Sequence, residues 1–226
     1  MGGGLPKQYM QLLGKPLIYH TLAALCAVPA IERVFVVLSA EDTEWARYDW
    51  SAWGSRLMPL FCGGPTRADS VLGGLCAIED EVAATDWILV HDAARPCVAG
   101  RLIEKLMFEL ADDEVGGLLA VPVTDTLKRA DERHRVADTV AREGLWRAQT
   151  PQMFRYRVLR RALESARDVT DEAAAIEAAG LRPRLIGGDD ANLKVTRPFD
   201  FLLAQWILRR REDEKEKKEN IEEKMP

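Results

Sequence analysis

One short apolar run that ends abruptly in charge constrains this chain more than anything else in it: Asp86-Trp87-Ile88-Leu89-Val90-His91-Asp92-Ala93-Ala94-Arg95-Pro96. An apolar run with no turn residue inside it reads as a strand buried on both faces, and its polar residues fall at its carboxyl end. In open α/β sheets ligands sit in the crevice beyond the carboxyl ends of the strands, so Asp92 and Arg95 stand where a substrate is expected. A turn cap before Pro96 is the other reading of Asp92.

Around this strand the periodicity alternates. Leu17, Ile18, Leu22 and Leu25 fall at helical spacing between Pro16 and Val28, and Val34–Leu38 follows as a buried strand. Ser39, Glu41 and Asp42 favour a helix start, continued loosely from Trp45 to Trp53 with its tryptophans as packing residues. Arg56–Phe61 is a strand candidate, and Val71, Leu72, Leu75 and Ile78 mark the next helix. A helix over Gly100–Ala111 and a strand over Gly116–Pro122 continue the pattern. Strand and helix in alternation imply parallel strands joined by right-handed crossovers.

The alternation breaks between Val123 and Gln149. There Thr126–Ala130 and Arg135–Val140 flank a charged turn and read as a projecting hairpin, with His134 solvated at its tip. A two-stranded hairpin is marginal alone, so a second copy of the chain is its natural support. Beyond it lie a basic helix over Val158–Ala166, an alanine-rich helix from Thr170-Asp171-Glu172 to Gly180, and a strand at Arg184–Ile186. A short strand over Asn192–Pro198 leads into a helix over Pro198–Arg211. Lys194 has apolar neighbours, so it pairs with an acid or faces a cavity, and a buried lysine reaching a phosphate is the preferred reading.

Length and composition bound the rest. The 226 residues, 47% hydrophobic, suit one domain over residues 1–211 with an arm at about 123–149. Residues 212–226 alternate acid and base without an apolar period, so a frayed helix or disordered tail is expected there. No apolar run approaches the roughly 20 residues of a membrane span, and the start lacks a signal peptide's basic and apolar regions, so a cytoplasmic location is expected. Cys26, Cys62, Cys76 and Cys97 have no paired spacing and read as buried thiols. Of the net charge of −5, the last fifteen residues contribute −3, seven acids against four lysines. The body near −2 lacks the basic face that nucleic acid requires.

Two stretches suit phosphates. Gly2-Gly3-Gly4-Leu5-Pro6-Lys7 is a glycine-rich loop with a lysine, although three glycines near a terminus also fit a flexible segment. Cys62-Gly63-Gly64-Pro65-Thr66-Arg67-Ala68-Asp69-Ser70 joins a strand to a helix, so its amides and Ser70 can receive a phosphate or a ribose. Simple N-capping by Thr66 or Asp69 explains the polar residues equally well.

Eight stretches taken together go beyond pattern. They are Pro6-Lys7-Gln8-Tyr9, Arg67-Ala68-Asp69-Ser70-Val71, the Val90–Pro96 strand end, Asp125-Thr126-Leu127-Lys128, Gly144-Leu145-Trp146, Thr150-Pro151-Gln152, Thr170-Asp171-Glu172-Ala173 and Asn192-Leu193-Lys194-Val195-Thr196. In order and spacing they resemble the 2-C-methyl-D-erythritol 4-phosphate cytidylyltransferase family over about residues 5–211. The resemblance implies an α/β, doubly wound, Rossmann-like nucleotidyltransferase fold with a mostly parallel sheet and a β-hairpin arm that joins a homodimer. It implies transfer of a cytidylyl group from CTP to methylerythritol phosphate with Mg2+, in the non-mevalonate isoprenoid pathway. By position, Lys7 and Lys194 match the family's two catalytic lysines, on the CTP phosphates and on the attacking phosphate. Gly63, Gly64 and Ser70 match the nucleotide loop, to which Asp92 contributes. Asp92, Arg95 and Thr170 match the acceptor side, while Thr126 and catalytic Arg142 match arm residues that reach across the dimer. Asp92 is the one candidate helper for the metal.

The family also opens with a strand and a Pro-Ala-Ala-Gly-x-Gly-x-Arg-Met loop, whereas this chain begins at what would be that methionine. The expectation is therefore a misassigned start or a truncated product, poorly stable and nearly inactive as written. Two further readings remain: a cytidylyltransferase acting on ribitol 5-phosphate or a similar polyol phosphate, and a non-catalytic nucleotide-binding remnant.

Overall fold

The computed structural model describes residues 5–166 and 168–222, so the three glycines of the first loop and the last four residues of the tail lie outside the described residues. After a 3-10 turn at Lys7–Tyr9, β1 (Gln11–Leu12) and β2 (Lys15–Pro16) form a small antiparallel hairpin, and α1 (Leu17–Cys26) starts directly from Pro16. A parallel pair follows, β3 (Val34–Ser39) and β4 (Leu57–Gly63). Between them the expected helix is replaced by two 3-10 segments, Trp45–Arg47 and Ser51–Arg56. Asp42 Oδ1 accepts from the Glu44 and Trp45 amides and Asp49 Oδ1 from the Ser51 amide, local bonds that compete with helix propagation. The tryptophans do pack: Trp45 and Trp50 stack with ring centroids 4.1 Å apart.

The remaining elements are α2 (Arg67–Ala77), β5 (Trp87–Val90), α3 (Gly100–Leu110), β6 (Gly116–Pro122), β7 (Leu127–Ala130), β8 (Val136–Val140), β9 (Trp146–Arg155), α4 (Tyr156–Ser165), α5 (Glu172–Ala178), β10 (Arg184–Gly187) and α6 (Pro198–Glu222). The main sheet has the order β10-β6-β9-β5. β10 runs parallel to β6, and β9 runs against both β6 and β5. Alternate side chains divide the core between the two faces of this sheet. Leu118 and Phe154 meet Leu75, Leu159 and Ile176 of α2, α4 and α5, while Leu119 and Met153 meet Leu106 and Leu110 of α3. Gly116 has φ +108°, and a Cβ there would lie 2.2 Å from the Met153 carbonyl, so β9 closes on β6 only over a glycine.

Several sequence expectations change. β9 extends the arm's return into a ten-residue strand that inserts between β6 and β5. β5 is half-buried rather than enclosed, because its only sheet neighbour among the described strands is β9. Beside it lies a cavity of about 740 Å³ that reaches from β5 to β3 and is bounded by Leu22, Val36, Leu75 and Leu89. Residues 192–197 form an irregular crossing segment rather than the expected strand, anchored by the Val195 amide on the Ala94 carbonyl at 2.8 Å. The final helix continues past Arg211 to Glu222. Cys26 and Cys97 are buried as expected, but Cys62 is half-buried and Cys76 exposed. The hairpin of β7 and β8 forms its own two-stranded sheet, with His134 exposed at the turn.

Candidate active site

The polar residues beyond β5 are collected into one cluster. Asp92 receives three cations: Arg67 Nε donates to Oδ1 at 2.9 Å, Lys194 Nζ to Oδ2 at 2.8 Å, and Arg95 Nε lies 3.7 Å from Oδ2. The Asp92 amide is held in turn by Thr150 Oγ1 at 3.1 Å. Burial raises the carboxyl's pKa, but the hydrogen bond from Lys194 and the charge of Arg67 outweigh it and bring it down to about 2. Asp92 thus stands just past the end of β5 among three cations, contacts that go far beyond a turn cap.

Each cation arrives on a different element. Arg67 opens α2 just after the N-cap Thr66, which shares a capping box with Asp69. Arg95 is fixed through Nη1 to the Asn192 carbonyl at 2.7 Å, while its buried Nε makes no hydrogen bond. Lys194 comes from the crossing segment and is 44% exposed, so it both pairs with an acid and faces open space rather than being buried. Arg67, Asp92, Arg95 and Lys194 line a small pocket of about 140 Å³ with Thr150 and Thr170. Lys7 lies within electrostatic reach: desolvation lowers its pKa, opposed by Asp200 and assisted by Lys194.

The other predicted residues are placed apart from this pocket. Gly63 and Gly64 leave no space for a side chain, since a Cβ would stand 2.8 Å from the Leu38 carbonyl oxygen at the first and 2.4 Å from Asp69 Cβ at the second. The Gly64 amide donates to Ser70 Oγ at 3.0 Å, and that hydroxyl donates to the Thr66 carbonyl at 2.9 Å. The capping reading of this loop is the one the contacts show: Thr66 and Asp69 cap the helix, and the Ser70 hydroxyl closes the glycine turn within the chain. Thr126 and Arg142 are exposed on the arm, where Arg142 Nη1 donates to the Thr124 carbonyl. Within one chain they do not line the pocket of Asp92.

The chain is similar to known proteins over most of its length. The family model for 2-C-methyl-D-erythritol 4-phosphate cytidylyltransferase matches residues 1–210. The chain belongs to this family. Proteins of that name from Azoarcus sp. (strain BH72) and Aromatoleum aromaticum are 70% and 67% identical over 93% of this chain, covering 89% and 91% of their own lengths. A crystal structure of a 4-diphosphocytidyl-2C-methyl-D-erythritol synthase superposes with a TM-score of 0.84 at 40% identity, over 90% of this chain and 95% of that one. The Francisella tularensis cytidylyltransferase gives 0.80 at 33% identity, over 90% and 93%. The fold is thus the α/β nucleotidyltransferase fold of cytidylyltransferases.

Two residues that the sequence reading quoted but did not single out for the site, Arg67 and Glu172, are joined to Asp92 by the structure. Arg67 Nη1 and Nη2 fork onto Glu172 Oε1 and Oε2 at 2.6 and 2.9 Å. Glu172 follows a hydroxyl and an acid and precedes three alanines, so it looks like part of a helix start. The available signal was a charged residue on the same face as buried Ala175 and Ile176, which requires a partner.

Proposed function

We propose that this chain transfers the cytidylyl group of CTP to 2-C-methyl-D-erythritol 4-phosphate, giving 4-diphosphocytidyl-2-C-methyl-D-erythritol and pyrophosphate in non-mevalonate isoprenoid synthesis. The supporting observation is the convergence of Arg67, Arg95 and Lys194 on Asp92 beyond the end of β5, with Lys7 in electrostatic reach. An oxygen of the acceptor phosphate bonds to the α-phosphorus while the bond to the α,β-bridging oxygen breaks, and pyrophosphate leaves with that electron pair. Two anions must meet, so the site's work is to hold both in line and to stabilise charge, with no covalent nucleophile. Lys7 takes the triphosphate, Lys194 and Arg95 take the acceptor phosphate, and Asp92 and Thr170 accept and donate to the polyol. Gly63, Gly64 and Ser70 form the turn that receives the nucleotide.

Magnesium fits this site only as a companion of the phosphates. Among the described residues no group of three or more His, Cys, Asp or Glu could hold a metal, and both Asp92 oxygens already face cations. Phosphate oxygens and water would supply its ligands, and there it would neutralise triphosphate charge. A homodimer belongs to the same reading: Thr126 and Arg142 reach an acceptor from the partner's arm, because they stand away from the pocket of their own chain. A cytoplasmic location is part of the same proposal, and no described helix is long and apolar enough to cross a membrane.

The test is pyrophosphate release from CTP with methylerythritol phosphate and, in parallel, ribitol 5-phosphate. The reading expects release with the first acceptor and little with the second. Preference for ribitol 5-phosphate would replace the acceptor, and CTP binding without release from either would replace the enzyme with a binding protein.

A further inference from the structure

Glu172 is 0% exposed and does not line the pocket, yet both its oxygens hold the arginine that touches Asp92. A buried carboxylate is costly unless it is paired, and its position here is over-determined. Asp171, the N-cap of α5, accepts from the Ala174 amide at 2.9 Å through Oδ1 and from Gln152 Nε2 at 2.9 Å through Oδ2. Gln152 Oε1 in turn accepts from the Ala173 amide at 2.8 Å. The start of α5 is thereby bolted to β9. Burial pushes the Glu172 carboxyl up from the usual range, opposed by Arg67, whereas the Arg67 guanidinium ends above its own ordinary value because Glu172 and Asp92 outweigh its desolvation. We take the pair as ionised, because two parallel bonds below 3 Å match the fork of a charged guanidinium to a carboxylate.

We propose that Glu172 and Arg67 are positioning residues that orient Asp92 and join the nucleotide side of the site to the acceptor side. This rests on the reading of the site as a cytidylyltransferase centre. Arg67 opens the helix that follows the Gly63-Gly64 turn, and Glu172 opens the helix that follows Thr170. With Nη1 and Nη2 committed to Glu172, only Nε is directed at Asp92, and it takes Oδ1. Oδ2 is left facing Lys194 and Arg95. Among the ion-paired groups, three cations stand against two acids and leave one positive charge in excess, with the Asp171 carboxylate also lining the pocket. Because Glu172 neutralises Arg67, that excess rests on the two cations available to an incoming phosphate. A fork is needed for this, and lysine cannot supply one.

The experiment compares the full chain with Glu172→Gln, Arg67→Ala and Arg67→Lys, following turnover, calorimetric binding of methylerythritol phosphate, melting temperature and the 13C signal of the Asp92 carboxyl. The relay expects Glu172→Gln and Arg67→Ala each to lower kcat/KM about 100-fold, the scale of a small misplacement at a reacting centre. The double variant is no worse than either alone, since both break one unit. Guanidinium ion in the buffer restores part of the Arg67→Ala loss, and Arg67→Lys stays impaired although it keeps the charge. A merely structural pair would lower the melting temperature and leave kcat/KM and acceptor affinity within about twofold, and that result overturns the proposal. A wild type that neither binds nor turns over the acceptor refutes the substrate reading. The Asp92 signal then decides the relay without substrate: a shift in Glu172→Gln supports it, and no shift overturns it.

Discussion

At the scale of the residue, the site is an exercise in charge balance. Lys194 is partly exposed and removing it leaves Asp92 paired with Arg67, so Lys194→Ala should fold normally. Its kcat/KM should fall by about 10²–10³, the usual loss when one preorganised charge at a transition state is deleted, and steady-state kinetics read this directly. His91, whose ring nitrogens meet Thr150 Oγ1 at 3.0 Å and the Arg95 carbonyl at 3.3 Å, has its pKa pushed down to about 4 by desolvation. Its unfolded value is near 6.5, so between the two the unfolded chain binds the extra proton, and stability falls as pH drops from about 6.5 to about 4. Thermal melts across that range should show the decline, and His91→Gln should flatten it. Asp92 acts in the same direction at lower pH, its contribution being lost between its ordinary 3.8 and about 2. Asp92, Arg95 and Lys194 were legible as candidates because charge beside apolar residues needs a reason. Glu172 was not, because an acid at a helix start already has one.

At the scale of the element, the glycine turn and the arm are built differently. The turn is shaped from within its own chain, so Gly64→Ala should push Cβ into Asp69, open the capping box and cost about 1–3 kcal/mol in chemical denaturation, as overpacking does. The arm carries exposed Thr126 and Arg142 away from the pocket of its own chain. If they act across a dimer, mixing Arg142→Ala with Lys194→Ala subunits should recover roughly a quarter of wild-type turnover, since half the random dimers then hold one intact site. Two inactive variants that stay inactive on mixing would place Arg142 in its own subunit's site, and an active Arg142→Ala would place it outside any site. The hairpin was readable from period-2 residues around a charged turn. The helix expected at Trp45–Trp53 was misread because Asp42 and Asp49 spend their side chains on nearby amides, which spacing does not reveal.

At the scale of the molecule, the strands outside the β1-β2 and β7-β8 hairpins divide into β10-β6-β9-β5 and β3-β4, with the 740 Å³ cavity between. What joins the two parts is helix packing, seen in Phe35 and Leu60 against the Leu75 and Phe154 cluster. Native-state hydrogen exchange should therefore find the slowest amides in β6 and β9, where pairing and burial are most complete, and a separate, faster unit in β3 and β4. Uniform protection across all six strands would contradict this division. By itself the sequence determined the alternating elements, the hairpin and the polar strand end, because side-chain period and local turn chemistry act over a few residues. Only the tertiary structure decided that β9 lies between β6 and β5, that β5 stays half-open, and that Arg67 meets Glu172 across 105 positions of chain. Those outcomes depend on which surfaces meet, and a pairing between distant residues leaves no period in the chain that makes it.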